Sequence, residues 1–469
     1  MSEMIQDKTT PHICDLAVIG AGPAGMAAAT TAAKAGLSVV LLDEGEGPGG
    51  QIYRSIEGTT PARAKVLGAD YNAGAALARA LREADLTYLP RSTVWNISTD
   101  RVVDFSRDGG SSQLQAGFIL VATGALERPS PIPGWTKPGV TTVGALQILL
   151  KSAGIVEEDA ALAGSGPLLW LVAKQMIDAG APPVAVVETT PRGRMSAALP
   201  HLAGALKGHR YLRKGLSMMR AVRRAGVPVH PAASGLEVMG DAEATGLRFT
   251  SKGRTHEIRA AHVALHQGVV PNQQVTRMLR CEHHWDAAQY CFRPVVDARG
   301  LTSVENVYTA GDGAGIMGAV SAALQGRLAA LDIASKLGKS APERADRLEA
   351  ALTRDGAVRP FLEALYAPAE EFVLPGDGVT VCRCEEITAG AIREAVDLGA
   401  PGPNQVKSFL RSGMGPCQGR VCGLVVANII AERRHAGMDD TGYFRIRPPL
   451  KPMQLSELAQ FKPLEKLEP

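Results

Sequence analysis

The sequence predicts an α/β chain built from two dinucleotide-binding-type units in series, followed by a small helical domain that carries a cysteine cluster. Three observations predict it. The order strand, glycine turn, helix, strand occurs twice, at "DLAVIGAGPAGMAAATTAAKAGLSVVLLDEG" from Asp15 and at "DAALAGSGPLLWLVAKQMIDAGAPPVAVVETT" from Asp159. A third strand, glycine turn and helix, "LTSVENVYTAGDGAGIMGAVSAALQGRLAALDIASKLG", stands far downstream, placed to return to the first unit. Four of the seven cysteines crowd into "VCRCEEIT" and "GMGPCQGRVCG".

At 469 residues the chain exceeds one ordinary core, and roughly two to four domains is the expectation. With 45% apolar and 21% charged residues it has the composition of a globular protein. The net charge of +3 is small, and no Lys/Arg stripe interleaves with aromatics, which argues against nucleic acid as a partner. The opening "MSEMIQDKTTPHICD" is charged and lacks an apolar core, so residues 1–14 read as a short lead rather than an export signal. The longest uncharged run, Leu16 to Ala33, contains "GAGPAG" and changes period, so it fits strand, turn and helix better than a membrane span. An odd, unevenly spaced set of cysteines without an export signal disfavours a disulfide framework and points to a reducing cytoplasm, with metal or redox use.

The elements divide the chain in order. Residues 15–150, rejoined by 300–338, form the first dinucleotide-binding domain, and 151–299 form the second unit. Mixed helical spacing, Pro and charge make 339–375 a helical linker. The cysteine domain takes 376–437. The Pro- and Lys-rich segment 438–469 is expected as an extended arm, with Tyr443, Phe444 and Ile446 positioned to dock it.

In the first unit Gly20, Gly22 and Gly25 form G-x-G-x-x-G between strand and helix, with Pro23 and Ala24 at the helix start. The first glycine permits a tight turn, the second lets a pyrophosphate approach the backbone, and the third lets helix and strand meet closely. The helix N-terminus adds N–H donors and partial positive charge. Asp43 closes the next strand, where a carboxylate can accept from a ribose, and the adjacent Glu44 is the alternate. Gly50 and Gln51 in "GPGGQIYR", Thr123 and Gly124 at the end of "FILVATG", and Gly311 and Asp312 in "AGDG" complete the expected dinucleotide site.

The second unit departs from this pattern. "GSGPLLW" keeps Gly164 and Gly166 but has Leu169 where the third glycine belongs, and such a side chain should push helix from strand. Glu188 could hold an NAD ribose and would repel an NADP phosphate, with no obvious Arg cluster to offset it. The balance favours a retained fold with a filled or repurposed site over nicotinamide binding. No redox pair is visible near the first site, and Cys14, Cys281 and Cys291 read as packing residues.

Three chemistries compete for Cys382, Cys384, Cys417 and Cys422: disulfides, zinc, or iron–sulfur. The context disfavours the first, and C-x-C with C-x4-C is atypical of zinc knuckles. A 2Fe-2S centre needs two thiolates on each iron, which two close pairs supply. The small residues of "GMGPC" let backbone N–H groups approach. "CQGRVCGLVVANIIAERRHAG" reads as a helix with Cys417 near its start, and Arg383 or Arg420 would offset negative charge.

The three glycine motifs resemble those of the glutathione and thioredoxin reductase superfamily, a likeness that covers roughly 15–337 and implies FAD at the first site. The cysteine spacing resembles the bacterioferritin-associated ferredoxin-like 2Fe-2S domain. Taken together, "GDGAGIMGA", "CRCEEIT", "PNQVKSF", "GMGPCQGRVCG" and "YFRIRPPLKP" resemble the A (alpha) subunits of opine oxidases and of related D-hydroxyproline, sarcosine-type and proline dehydrogenases, with hydrogen cyanide synthase near them.

That resemblance implies an electron-handling subunit of a hetero-oligomer. A beta subunit with its own FAD oxidises the amine, some members add a small third subunit or an FMN between subunits, and some hold ATP at the first site. Electrons pass to a quinone or a soluble acceptor, in the cytoplasm or at the inner face of the membrane. No amine-oxidising residue is assigned to this chain. Two other classes stay open: a self-contained NAD(P)H-dependent FAD/2Fe-2S reductase, and a non-catalytic iron–sulfur module.

Overall fold

In the computed structural model, residues 13–340 and 343–461 are described, so the expected lead at 1–12, Ala341–Pro342 and the arm beyond 461 lie outside the described residues. The run Leu16–Ile19 is nearly inaccessible to solvent, as expected of a parallel strand covered on both faces. It belongs to a strand, Ile13–Ile19, that begins before the expected Asp15 and takes in Cys14. This strand lies in a seven-stranded sheet, between Val39–Leu42 and Gly110–Val121 and parallel to both. Val307–Thr309 joins Gly110–Val121 in parallel, with Val307 opposite Ile119. The chain thus returns to its first sheet some two hundred residues after leaving it.

Alanine and glycine decide how the helices cover that sheet. Pro23–Lys34 runs against Ala319–Lys336, and a Cβ on Gly326 would lie 2.1 Å from the Ala24 carbonyl oxygen. Ala28, Ala29, Ala32, Ala329 and Ala330 fill the seam.

The second sheet has the order Val229–His230, Ala185–Glu188, Ala160–Ser165, His262–Gln267, Val140–Thr142, all parallel. Its last strand precedes residue 151, so this sheet reaches back into the segment expected to belong to the first domain. Leu169 is fully buried among Val143, Leu162, Val172 and Val186. Within the 339–375 segment, Ala345–Gly356 and Arg359–Leu365 are helices. They are packed, not free: Asp355 accepts from Ser321 Oγ at 2.7 Å and Tyr211 OH at 2.7 Å.

The cysteine domain pairs Thr380–Cys382 with Ile387–Thr388 and adds helices Ala389–Asp397, Pro403–Leu410 and Gly423–Arg434. Its apolar residues are continuous with the first sheet's, since Val381, Ile392, Val425 and Ile429 share one core with Ile19, Leu42, Phe105 and Val121. The Trp135 indole N–H donates to the Thr380 carbonyl at 2.6 Å, tying the hairpin to the body. From residue 438 to 461 the arm is extended except for two short helices, Met438–Thr441 and Leu455–Ala459. Phe444, Ile446 and Leu450 are buried, and the Leu450 N–H donates to the Trp95 carbonyl at 2.8 Å.

Candidate functional site

The first glycine turn is shaped by what cannot be there. Gly20 has φ +106°, and a Cβ on it would lie 2.6 Å from the Ala122 carbonyl oxygen. A Cβ on Gly25 would lie 1.8 Å from the Gly20 carbonyl oxygen, so helix and strand meet only because both lack side chains. Gly22, by contrast, faces open space on its Cβ side and begins a twelve-residue helix with no side-chain cap. Pro23 has no N–H to offer, which leaves the amides of Ala24 and Gly25 as unpartnered first-turn donors. Open backbone and free donors at a helix start fit a pyrophosphate.

The flanking motifs converge on this turn. The Gly49 N–H donates to the Ala21 carbonyl at 2.8 Å, laying the Gly50–Gln51 loop beside Gly22. Asp43 accepts from the Ala21 N–H at 2.6 Å and the Gly45 N–H at 2.7 Å, so it holds the turn. Burial pushes its carboxyl above the ordinary range, with those two N–H bonds opposing. Glu44 is held in an ion pair with Lys451 of the arm. Gly124 accepts from the Asn272 N–H at 2.9 Å, fixing the Thr123–Gly124 crossover. Asp312 Oδ1 accepts from Met317 N–H at 2.8 Å and Gly318 N–H at 2.9 Å, at the entrance to Ala319–Lys336, while Oδ2 has no partner among the described residues. Gly311, φ +75°, donates to Gln325 Oε1.

Lys151 was not among the expected residues. It is 3% exposed, and its Nζ donates to the Gln51 carbonyl at 3.0 Å and Gln147 Oε1 at 2.8 Å. Burial, with Arg54 nearby, lowers its pKa to about 7. In sequence it reads as an ordinary basic residue in the last turn of a helix, so only the fold reveals that it lies beneath the "GGQ" loop.

The second turn is arranged differently. Gly164, φ +153°, leaves no room for a Cβ against the His266 carbonyl oxygen, at 1.8 Å. Beside Gly166 stands the His266 ring, whose Nδ1 lies 2.6 Å from Glu127 Oε1; that carboxylate also accepts the Gly144 N–H. Glu188 accepts from the Thr190 N–H at 3.0 Å, and burial raises its pKa. A cavity of about 270 Å³ opens beyond this strand, with Arg192, Lys252 and Glu371 in its lining. Arg192 follows Glu188 by four residues, and Lys252 is brought beside it from a distant hairpin.

The four cluster cysteines come together as two cross-segment pairs, Cys382 with Cys422 and Cys384 with Cys417. Cys382 and Cys422 are buried, whereas Cys384 is exposed at the rim. Among the described residues no three His, Cys, Asp or Glu side chains gather as a single ion would require. The pairs cross between the segments rather than lying within C-x-C and C-x4-C, and four thiols in two pairs still supply the two ligands per iron that a 2Fe-2S centre needs. The Cys382 thiol is lowered to about 6, first by the hydrogen bond from Cys422 and then by N–H groups of Gly413, Glu385 and Cys384. Gly415 must lack a side chain because a Cβ there would lie 2.2 Å from the Cys384 Cβ.

The helix here begins at Gly423, later than expected. Cys422 is its N-cap, and Gln418 and Gly419 at positive φ hold Cys417 in preceding turns. Arg420 donates to the Cys417 carbonyl at 3.1 Å and the Leu450 carbonyl at 2.7 Å, while Arg383 is exposed. The remaining cysteines are buried, and burial pushes Cys14 and Cys291 up to about 12, as packing residues require.

Known families resemble two parts of the chain. Residues 14–326 match the pyridine nucleotide-disulphide oxidoreductase family, and 380–432 match the BFD-like [2Fe-2S] binding domain. The opine oxidase A subunit of Rhizobium meliloti is 43% identical, over 95% of this chain and 98% of its own length. The HcnB subunit of hydrogen cyanide synthase from Pseudomonas aeruginosa is 34% identical, over 94% of this chain and 97% of its own. The crystal structure of L-proline dehydrogenase from P. horikoshii superposes with a TM-score of 0.71, covering 95% of this chain and 79% of that one, at 16% identity. That last likeness is one of fold.

Proposed function

Because this chain belongs to the pyridine nucleotide-disulphide oxidoreductase family and, within it, to the group of opine oxidase A subunits, we propose that it is the electron-transfer subunit of a hetero-oligomeric dehydrogenase of amines or amino acids. The chain is a flavin oxidoreductase subunit with FAD and a 2Fe-2S domain. The finer reading is that a beta subunit with its own FAD oxidises a CH–NH donor of the opine, D-hydroxyproline, sarcosine or proline type. In it, electrons pass through this chain's flavin and cluster to a quinone or soluble acceptor at the inner face of the membrane. FMN at the subunit contact and a small third subunit belong to the same reading.

The observation that carries it is one apolar core shared by the dithiol-paired centre and the strand that leads into the open dinucleotide turn. FAD accepts a hydride equivalent and can release electrons singly, while a 2Fe-2S centre takes one at a time. This chain's residues prepare for both. Gly22, Ala24 and Gly25 would receive the pyrophosphate, Asp43 would take the ribose and Asp312 the sugar-alcohol chain. The four cysteines would hold the irons, with Gly413 N–H toward Cys382 and Arg420 braced on Cys417.

A second reading, an NAD(P)H-dependent reductase, draws on the cavity lined by Arg192 and Lys252 beyond Glu188. Co-purification with the native partners, followed by cofactor extraction and a screen of opines, imino acids and N-methyl amines with an artificial dye acceptor, separates the two. Amine-dependent dye reduction that needs the partner is the expected result. Steady NADH oxidation by the chain alone would overturn it.

A further inference from the structure

Residues 191–224, "PRGRMSAALPHLAGALKGHRYLRKGLSMMRAVRR", contain nine arginines and lysines and no aspartate or glutamate, although the whole chain carries only +3. The rest of the chain is therefore net acidic. In the structure this stretch forms the helices Arg194–Ala198, Leu202–Lys207 and His209–Arg224, the first two joined by one tighter turn. One side is anchored: Ala198 and Ala205 pack with Val358 and Phe361, and Met218 and Val222 pack into the second unit's core.

The other side is bare. Met195, Leu199, Leu202 and Leu206 recur at helical spacing and are exposed, Leu206 by 60% and Leu199 by 53%. On His209–Arg224, the exposed Leu216 shares a face with Arg213, Arg220 and Arg223. Of the nine cations only Arg210, with Asp355, and Lys214, with Asp70, have an ion-pair partner among the described residues.

We propose that this face docks the protein on an anionic phospholipid surface, with the leucines entering the interfacial layer and the arginines meeting lipid phosphates. The chemistry selects that occupant. Seven of the nine cations have no ion-pair partner among the described residues, no carboxylate lies in the stretch, and exposed leucines stand among them on successive helices, a combination of one charge sign and scattered apolar side chains that an anionic headgroup layer accommodates. Attachment is peripheral, since no helix among the described residues is long and apolar enough to cross a membrane. The proposal rests on the membrane-side location in the reading above and names the surface that achieves it.

The test uses the full cofactor-loaded chain, sedimented with vesicles of phosphatidylcholine alone or mixed with phosphatidylglycerol, across a salt series. Binding is expected only to the phosphatidylglycerol vesicles, weakening as salt rises. R213Q/R220Q/R223Q should weaken it about 100-fold, at about five-fold per arginine, and L199D/L206D should abolish it. Both variants should keep flavin absorbance and elution volume unchanged. Equal vesicle binding by these variants would overturn the surface assignment while leaving a membrane location standing. No binding by the parent chain would overturn both, without touching amine-dependent dye reduction. An altered elution volume or subunit content for L199D/L206D would mark the face as a protein contact and refute the lipid assignment.

Discussion

The two glycine turns start from the same βαβ plan and end as different objects. At the first, Gly25 lets the helix close on Gly20 while Gly22 stays open to a ligand. At the second, Leu169 occupies the third position, buried in the hydrophobic core, and the buried His266, paired with Glu127, stands beside Gly166. The parallel sheet is intact in both, since strand pairing and apolar burial hold it without help from the turn. One turn is thus left open at Gly22, and the other carries a side chain packed into the core.

The sharpest way to break this contrast is to give the first turn a side chain at the third glycine, where the second turn has Leu169. Gly25→Leu has no space at 1.8 Å from a backbone oxygen and should yield protein without flavin; Gly25→Ala should cost more than ~3 kcal/mol. Flavin content and urea unfolding read both. Removing the plug from the other turn should do less: Leu169→Ala is expected to cost ~2–5 kcal/mol as a core cavity, with flavin retained and NADH still unreactive. Flavin bleaching by NADH in that variant would mean that Leu169 alone closes the second site.

Cluster variants test whether the two redox parts are separable. Cys382→Ser or Cys422→Ser should abolish the 2Fe-2S absorption and bound iron while FAD stays. Cys384→Ser should do the same with a smaller loss of stability, because that thiol is exposed.

The smallest effect concerns Lys151. Its folded pKa of about 7 lies below the roughly 10 of an unfolded lysine. Between those values the unfolded chain holds the proton that the folded chain has released, so stability rises with pH across that window. Below about pH 7 the lysine is charged in both states and its burial penalty is complete. Lys151→Met should therefore flatten the rise, and denaturant midpoints measured from pH 6 to 10 would check it.

Local pattern made much of this legible. The strand–turn–helix units, the four cysteines and the packing role of Cys14, Cys281 and Cys291 follow from period, glycine spacing and cysteine spacing. What escaped depends on tertiary approach. Nothing near Lys151 signals that Gln51 lies above it, and nothing near Glu188 signals Arg192 and Lys252 together. Leu169 was expected to push its helix outward, yet it is packed inside, because neighbouring Val172 and Val186 share its core. The helix expected from Cys417 starts at Gly423 because Gln418 and Gly419 adopt positive φ, which a periodicity argument cannot see.

The central claim, that electrons enter from a partner's amine chemistry and leave through the cysteine centre, is tested most directly by anaerobic reduction of the native complex, with low-temperature electron paramagnetic resonance reading the cluster. The account predicts that an opine, imino acid or N-methyl amine reduces the cluster in the complex, that the chain without its partner gives no signal with the same amine, and that NADH gives none in either. A cluster signal raised by NADH in the isolated chain would contradict it.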